Sequence, residues 1–328
     1  MVSASSLLLP SSVRDFASCI GDGAACTAPS STRTRRGSAA VQAQPSTLSV
    51  TASYRVALAS SSSPPLQLRL TWAHSPLGPT LSFSPSASGR KVLVRRRRGS
   101  CSVLSSGEDE AVESESELSA SSPRLALFWD LTAARFDPAA SPEPVSGYYV
   151  VVAVESAEVV LALGDLAAEF VKAKFEGTTQ IPMAAPFARG ERVVVAVSSD
   201  AAAAVTHTAR ARFAEGGAEH EVSVGCAPGG GGGGGGDELW VSIDGKRAVQ
   251  ARRLRWNFRG NQTVFVDGQP VDVMWDLHGW WFRREPPAPG WAVVMLRARS
   301  ALESRLWLEE EAAAPAFSLL VEAFKSPP

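Results

Sequence analysis

Apolar and polar residues alternate along much of the chain, and this period of two is typical of β-strands. The clearest case is Leu239, Val241 and Ile243, which are separated by polar or amphipathic neighbours. Asp244 and Gly245 follow directly, and an Asp-Gly pair readily adopts the positive φ angles of a two-residue hairpin turn. The pattern therefore predicts a β-hairpin that begins with this strand.

The strand that returns from this turn is predicted to extend from Arg247 to Trp256. Leu254 and Trp256 share its apolar face, and Gly260-Asn261 is expected to end it. After a short third run, alternation resumes in a fourth strand, whose apolar face is formed by every second residue. These residues are Val271, Val273, Trp275 and Leu277. Such an antiparallel meander must bury its apolar face against a second layer.

Similar short runs recur along the chain with turn residues between them, and one segment has helical spacing. A helix is predicted over 164–175, with Asp165 as its N-cap. The pattern predicts an all-β, mainly antiparallel fold: a β-sandwich or open barrel of about a dozen strands with one short helix. The runs outside the meander are 48–58, 66–72, 80–84, 91–98, 125–131, 145–155, 159–163, 192–197, 204–213, 219–225, 291–299, 306–308 and 317–324.

Composition divides the chain into a tail and one domain. Residues 1–45 are rich in Ser, Ala, Thr and Arg, and we interpret them as a disordered tail, with a transit peptide as the alternative. Residues 46–328 are predicted to form a single β-rich domain. Within it we expect an acidic, serine-rich disordered linker at 105–123 and a flexible poly-glycine loop at 228–237.

The charge, cysteine and hydropathy patterns favour an intracellular protein. The net charge is −1, and the four cysteines form no CxxC pair, which fits a reducing compartment better than a disulfide framework. No apolar run reaches the ~18 residues of a transmembrane helix. The sequence favours the cytoplasm or nucleus and leaves the chloroplast open. The basic run KVLVRRRR at 91–98 is a candidate nuclear import signal or nucleic-acid patch, but a solvated strand end is favoured.

No constellation of residues in the sequence indicates a metal site, a nucleotide site or an activated nucleophile. Asp272 and Asp276 would lie about 13 Å apart on a strand, which is too far for a glycosidase pair. Asp276 and His278 share a face, and a structural hydrogen bond is the favoured interpretation. The sequence therefore predicts no catalytic residue, no cofactor and no metal ligand, and it leans against an enzyme without deciding the question.

Tryptophan and arginine are the residues that suggest a binding surface. Five of the nine tryptophans lie between residues 237 and 285, and most are expected in the core. Because adjacent strand residues point to opposite faces, Trp280 or Trp281 is expected to face outward. Arginines interleaved with aromatic residues suit single-stranded nucleic acid, although pairing with nearby carboxylates is the favoured explanation. The candidate surface residues are Trp280, Trp281, Arg253, Arg255, Arg283 and Arg284.

The run RLRWNFRGNQTVFVDGQPVDVMWDLHGWWF, at 253–282, resembles the signature of a plant family known as domain of unknown function 868. Segments at 128–137, 142–169 and 297–310 resemble the same family, and VRDFASC at 13–19 is similar to its N-terminal opening. The resemblance covers most of the chain. It implies no activity, substrate or catalytic residue, because none is established for the family.

Three functional interpretations from different classes stay open. The first is a non-catalytic β-sandwich module that binds a partner, with protein as the expected class of partner. The second is a carbohydrate- or lipid-binding module that uses exposed tryptophan. The third is single-stranded nucleic-acid binding through a sheet face rich in arginine and tryptophan. The first is favoured, because the other two lack a specific signal in the sequence.

Overall fold

The computed structural model describes residues 45–56, 58, 65–85, 91–104, 124–137, 141–154, 158–175, 185–196, 204–227, 237–282, 290–299 and 316–326. In these ranges the chain forms 19 strands and two short helices, so the predicted all-β, mainly antiparallel class is confirmed. The strands outnumber the predicted dozen or so, and there is a second helix. None of the described helices is long and apolar enough to cross a lipid bilayer.

The described elements fall into two halves along the chain. The first half comprises β1 (Ser46–Val56), β2 (Leu66–Ser75), β3 (Gly78–Ser84), β4 (Val92–Val94), β5 (Arg98–Leu104), β6 (Arg124–Asp130), β7 (Arg135–Phe136), β8 (Pro144–Ser146), β9 (Tyr149–Val154), β10 (Glu158–Leu163) and α1 (Ala167–Lys174). The second half comprises β11 (Ala188–Val195), β12 (Val205–Ala211), β13 (His220–Ala227), β14 (Glu238–Ile243), β15 (Lys246–Arg252), β16 (Arg259–Val266), β17 (Gln269–Asp276), α2 (His278–Phe282), β18 (Trp291–Ala298) and β19 (Ser318–Lys325).

A nine-stranded sheet in the order β16-β17-β18-β19-β11-β1-β2-β3-β4 joins the two halves. Its central strand, β11, pairs antiparallel with β1 on one side and parallel with β19 on the other. The remaining neighbours in this sheet are antiparallel. Neither half of the chain can therefore form the complete sheet alone.

Two four-stranded sheets pack against one face of the nine-stranded sheet. The sheet β10-β9-β6-β5 packs over β1 to β4, and the sheet β12-β13-β14-β15 packs over β16 to β19. Leu70 and Leu127 lie in the first of the two cores, and Val241 and Val273 lie in the second. We use the name open face for the opposite side of the nine-stranded sheet, where the alternate side chains of the same strands are mostly exposed or half-buried.

The second strand of the predicted meander ends early, at Arg252. Arg253 takes a positive φ of 56°, and its carbonyl accepts the backbone N–H of Trp256 at 2.8 Å, which closes a turn. Leu254 is fully buried, but Trp256 is 85% exposed. The prediction that these two residues share an apolar strand face is therefore wrong, because the chain is no longer extended when it reaches Trp256.

Glycine lies opposite tryptophan at three cross-strand pairs in the sheets. At each one the indole covers the glycine, and an added Cβ would overlap the ring. One of these glycines is Gly260, which lies inside β16 where the sequence predicts a break. Paired with Trp275, Gly260 makes room for the ring rather than ending the strand. The pairs are Gly99–Trp129, Gly225–Trp240 and Gly260–Trp275.

The residue predicted to cap the first helix has a different role. Helix α1 begins at Ala167 after its N-cap Leu166, which makes no side-chain capping bond. The carboxylate of Asp165 instead accepts the backbone N–H groups of Gly147 at 2.8 Å and Tyr148 at 3.1 Å. These hydrogen bonds lower the pKa of Asp165. Asp165 thus connects the turn between β8 and β9 to the start of α1.

The basic run at 91–98 carries the chain from β4 in the large sheet to β5 in the small one. The carbonyl of Arg96 accepts the indole N–H of Trp129 at 2.9 Å, and the guanidinium of Arg98 lies 3.4 Å from Asp130. The run is therefore a link between strands, as its favoured interpretation predicts.

Several predictions concern residues outside the described ranges and stay predictions. They are the disordered tail at 1–45 apart from Pro45, the acidic linker at 105–123, the poly-glycine loop at 228–237 apart from Asp237, and the strand-like run at 306–308.

Candidate functional site

The two tryptophans proposed as surface residues lie on helix α2 and not on a strand, so the argument from opposite strand faces does not apply to them. Both are half-buried and pack against the second core. The ammonium of Lys325 donates to the Trp280 carbonyl at 2.7 Å and lies 4.8 Å from the centre of its ring. The Trp281 Nε1 atom is buried, and no described residue accepts its hydrogen.

The arginines proposed with them are only partly brought together. Arg255 lies 5.9 Å from the centre of the Trp281 ring and 3.4 Å from Asp237. Arg253 occupies an exposed turn nearby in sequence. Arg283 and Arg284 lie outside the described residues. The ion pair of Arg255 supports carboxylate pairing as the reason for its position.

A network of charges, called the buried network below, lies where the two cores meet: Glu191 is buried, and its partners Arg189, Glu143 and His207 are half-buried. The Arg189 guanidinium donates to both carboxylate oxygens of Glu143, at 2.6 and 3.2 Å, and to Glu191 at 2.5 Å. His207 Nε2 lies 2.6 Å from the other oxygen of Glu191. Burial alone would raise the pKa of Glu191, but the hydrogen bond to His207 and the charge of Arg189 outweigh it, so that pKa is lowered.

This buried network is suited to a structural role. The small hollow that Arg189 shares with Arg210 and Glu219 has a volume of about 30 Å³, which is room for one or two water molecules. Arg189 is committed to two carboxylates, and Glu191 to two partners. The network therefore fixes β8, β11 and β12 relative to one another.

His220 joins two hairpin turns that belong to different sheets. Its Nδ1 lies 2.7 Å from Asp244 in the turn between β14 and β15, and its Nε2 lies 3.0 Å from Asp267 in the turn between β16 and β17. Because both carboxylates accept hydrogen bonds, both ring nitrogens must donate, which requires the protonated imidazole. The hydrogen bond to Asp244 accordingly raises the pKa of His220.

Two hollows lie on the open face. One hollow of about 610 Å³ lies over β1 to β4 and is lined by Arg69, Lys91 and hydroxyl side chains. A second of about 270 Å³ lies over β11, β19 and β18, and its lining includes Met295 and Leu320 together with Ser318 and Glu322. Both include Thr51, Arg69 and Arg192 among their lining residues, so they form one continuous groove. Volumes of this size fall in the range of small-molecule sites.

The floor of this groove lies on a row of residues in register across seven strands, and all of them except Met274 line one or both hollows. Gly190 on β11 is at its centre, and a Cβ there would meet no atom within 4 Å. From Gly190 toward β17 the row is apolar, and from Gly190 toward β3 it carries hydroxyl groups. In order, the row is Met274, Met295, Leu320, Gly190, Thr51, Thr71 and Ser82.

Cations concentrate at the hydroxyl end of the groove. Arg192 is paired with Glu322 at 3.2 Å and lies 4.8 Å from the centre of the Phe324 ring. Arg69 and Lys91 are exposed, and neither makes an ion pair with another described residue. This end of the groove therefore offers positive charge that the described part of the protein does not neutralise.

Sequence reasoning did not identify this groove. Arg69 and Arg192 come from different halves of the chain, and only the pairing of β1 with both β2 and β11 brings them together. One signal was present: the polar positions of β1 are all small hydroxyl residues where the groove forms. They are Ser49, Thr51 and Ser53.

Comparison with known proteins gives a single finding. A family model for plant proteins of unknown function matches residues 45–325. No curated protein and no solved structure matches the chain significantly.

Proposed function

The chain belongs to the plant protein family of unknown function DUF868, and from that premise we propose that it is a non-catalytic binding module whose open face holds an anionic ligand. The observation that carries the proposal is the position of Arg69 and Lys91. Both line the larger hollow beside serine and threonine hydroxyls, and neither is neutralised by a described carboxylate.

The chemistry of the groove matches phosphate or carboxylate groups. A guanidinium binds such groups with two parallel hydrogen bonds, and an ammonium adds a compact positive charge. The hydroxyls of Thr51 and Thr71 share a hydrogen bond of 3.0 Å at the floor, which leaves one hydroxyl hydrogen to donate to a ligand. A cleft lined by charge of one sign also concentrates the field that attracts an oppositely charged ligand. These are groups that hold an anion, which supports a binding site for phosphate or carboxylate.

Calorimetric titration with ethyl phosphate tests this proposal. We expect Arg69→Gln to weaken binding by about tenfold or more, because a hydrogen bond to a charged group contributes about 1.5–3 kcal/mol. Arg210→Gln is the matched control, since Arg210 is an exposed arginine on β12 whose guanidinium lies 3.9 Å from Glu219. Equal affinities in the original protein, Arg69→Gln and Lys91→Gln would contradict the proposal.

A second candidate function rests on Trp256. Its indole is 85% exposed on the turn after β15, and an exposed indole is a platform on which a sugar ring can stack. This supports carbohydrate binding at a place different from Trp280 and Trp281. Titration with neutral oligosaccharides, compared between the original protein and Trp256→Ser, tests it, and heat of binding that is unchanged in Trp256→Ser would count against it.

A further inference from the structure

The proposed anion site occupies only one end of the groove, and the other end has a different chemistry. We infer that the ligand is a single anionic amphiphile, whose head group binds beside Arg69 and Lys91 and whose apolar chain lies over Met295 and Leu320. This inference rests on the proposed function and adds the class of ligand to it.

The first observation is that the two ends are parts of one groove. The hollow over β1 to β4 and the hollow over β11, β19 and β18 are both lined by Thr51, Arg69 and Arg192. Between them lies Gly190, whose missing side chain leaves the floor open. The alkyl chain of a ligand whose head group binds at the cationic end can therefore extend past Gly190 without meeting a side chain at that position.

The second observation is the change in polarity along the floor. Met274, Met295 and Leu320 are half-buried on the open face, whereas Thr51 and Thr71 occupy the same row on the other side of Gly190. From β2 to β18 the row spans four strand spacings, or about 19 Å. That length suits a molecule with one charged end and an extended apolar part.

The third observation concerns the boundary between the two ends. Arg192 is held there by Glu322 and by the face of Phe324. Its charge is thus fixed at the point where hydroxyl groups give way to apolar side chains. A head group at the cationic end meets Arg192, and a chain beyond it meets methionine, whose unbranched thioether adapts to varied apolar shapes.

This pattern favours an amphiphile over an acidic peptide or an acidic oligosaccharide. Both of those carry polar groups along their whole length, and each buried polar group requires a hydrogen-bonding partner. The side chains of Met295 and Leu320 cannot donate or accept such bonds. An alkyl chain needs no partner there, and its burial is favourable in proportion to the apolar area removed from water.

A series of alkyl phosphates tests the inference. Ethyl, butyl, hexyl and octyl phosphate would be titrated into the protein at concentrations below micelle formation, so that a single molecule and not an aggregate is the ligand. We expect each added methylene to tighten binding by about twofold to fourfold, because a fully buried CH₂ group contributes about fourfold and the groove is half open. Affinity that is independent of chain length in the original protein would overturn the inference.

Variants locate the chain. Met295→Thr and, independently, Leu320→Thr should reduce the gain per methylene, measured against the affinity of the same variant for ethyl phosphate. Leu77→Thr is the matched control, since Leu77 is a fully exposed apolar residue at the turn between β2 and β3. A gain per methylene that is unchanged in both variants would show that the chain lies elsewhere and would overturn the assignment.

The outcomes for the two proposals are distinguishable. If Arg69→Gln weakens ethyl phosphate binding but chain length has no effect, the anion site stands and the amphiphile is refuted. If neither Arg69→Gln nor Lys91→Gln changes the binding of any of the phosphates, the anion site and the inference built on it both fail. Vesicles that contain anionic lipid provide a further arm, because binding to them without binding to dispersed octyl phosphate would indicate a membrane surface and refute the single-molecule ligand.

Discussion

The indole of Trp240 lies across Gly225, its direct partner on β13, so closely that a Cβ at residue 225 would overlap the ring. The guanidinium of Arg247 also packs on this indole, since it lies 5.1 Å from the centre of the same ring. The glycine thus allows a bulky half-buried side chain to lie flat along the sheet instead of standing away from it.

We expect Gly225→Ala to lower the free energy of unfolding by about 1–3 kcal/mol, the usual cost of overpacking. Urea unfolding followed by tryptophan fluorescence measures the change. Gly190→Ala is the control, because a Cβ there meets nothing, and it should leave stability unchanged or raise it slightly. If both substitutions changed the free energy of unfolding equally, contact with the Trp240 indole would not be the reason that glycine is required at position 225.

The two hydrogen bonds of the His220 ring, to Asp244 and to Asp267, make the free energy of unfolding depend on pH. The pKa of His220 in the folded protein lies above its ordinary value of about 6.5. A raised pKa means that the folded state binds the proton more tightly than the unfolded state. The contribution of His220 to the free energy of unfolding is therefore complete below about pH 6.5 and is lost as pH rises through the pKa of the folded state. A neutral ring donates only one hydrogen bond, so the bond to Asp244 or the bond to Asp267 must then be given up.

We therefore expect the free energy of unfolding to decline as pH rises above about 6.5 in the original protein and to decline less in His220→Gln. Measurement of urea midpoints across this range tests the expectation, and NMR titration of the His220 ring gives its pKa directly. If the free energy of unfolding depended on pH identically in the two proteins, the proposed role of the His220 hydrogen bonds would be contradicted.

Removal of Arg189 should be far more costly than removal of a surface arginine. Arg189→Met leaves Glu143 and Glu191 without their shared cation, and breaking a buried ion pair in this way costs about 3–5 kcal/mol. Arg210→Met, which breaks an exposed pair, should cost about 0–1 kcal/mol. Similar unfolding midpoints in the two variants would refute a structural role for the buried network.

The exposure of Trp256 predicts that its loss is tolerated. We expect Trp256→Ala to change stability by about 0.5 kcal/mol or less, whereas Trp72→Ala, at a position only 4% exposed, should cost about 3–5 kcal/mol. Thermal unfolding of the two variants provides the comparison. A large loss of stability in Trp256→Ala would mean that its indole packs against the protein in solution.

Alternation along the chain was sufficient to predict strands wherever one face is buried. Val271 and Val273 are fully buried and Leu277 is nearly so, as their spacing predicts. The turns at Asp244 and Asp267 were recognisable because each is an Asp-Gly pair, and both aspartates do adopt positive φ in the structure. Local chemistry of this kind depends on neighbours in the sequence, and it is therefore visible there.

The parts that sequence reasoning missed depend on partners that are distant in the chain. Trp256 has the spacing of a core residue, but the backbone turns at Arg253 before reaching it. In the sequence Gly260 predicts the end of a strand, and only its pairing with Trp275 on the neighbouring strand explains why glycine is found there. The groove needs Arg69 and Arg192 to be neighbours, and no periodicity within either strand indicates that pairing.

The parallel pairing of β11 with β19 has a consequence for synthesis on the ribosome. When β11 emerges, β1 is already available, but the other edge of β11 stays bare until β19, the last described strand, has been made. The nascent chain therefore exposes the backbone donors and acceptors of its future central strand while β12 to β18 are translated. Such an edge can pair with another chain, so crowding of nascent chains and early termination are the conditions under which this protein should aggregate.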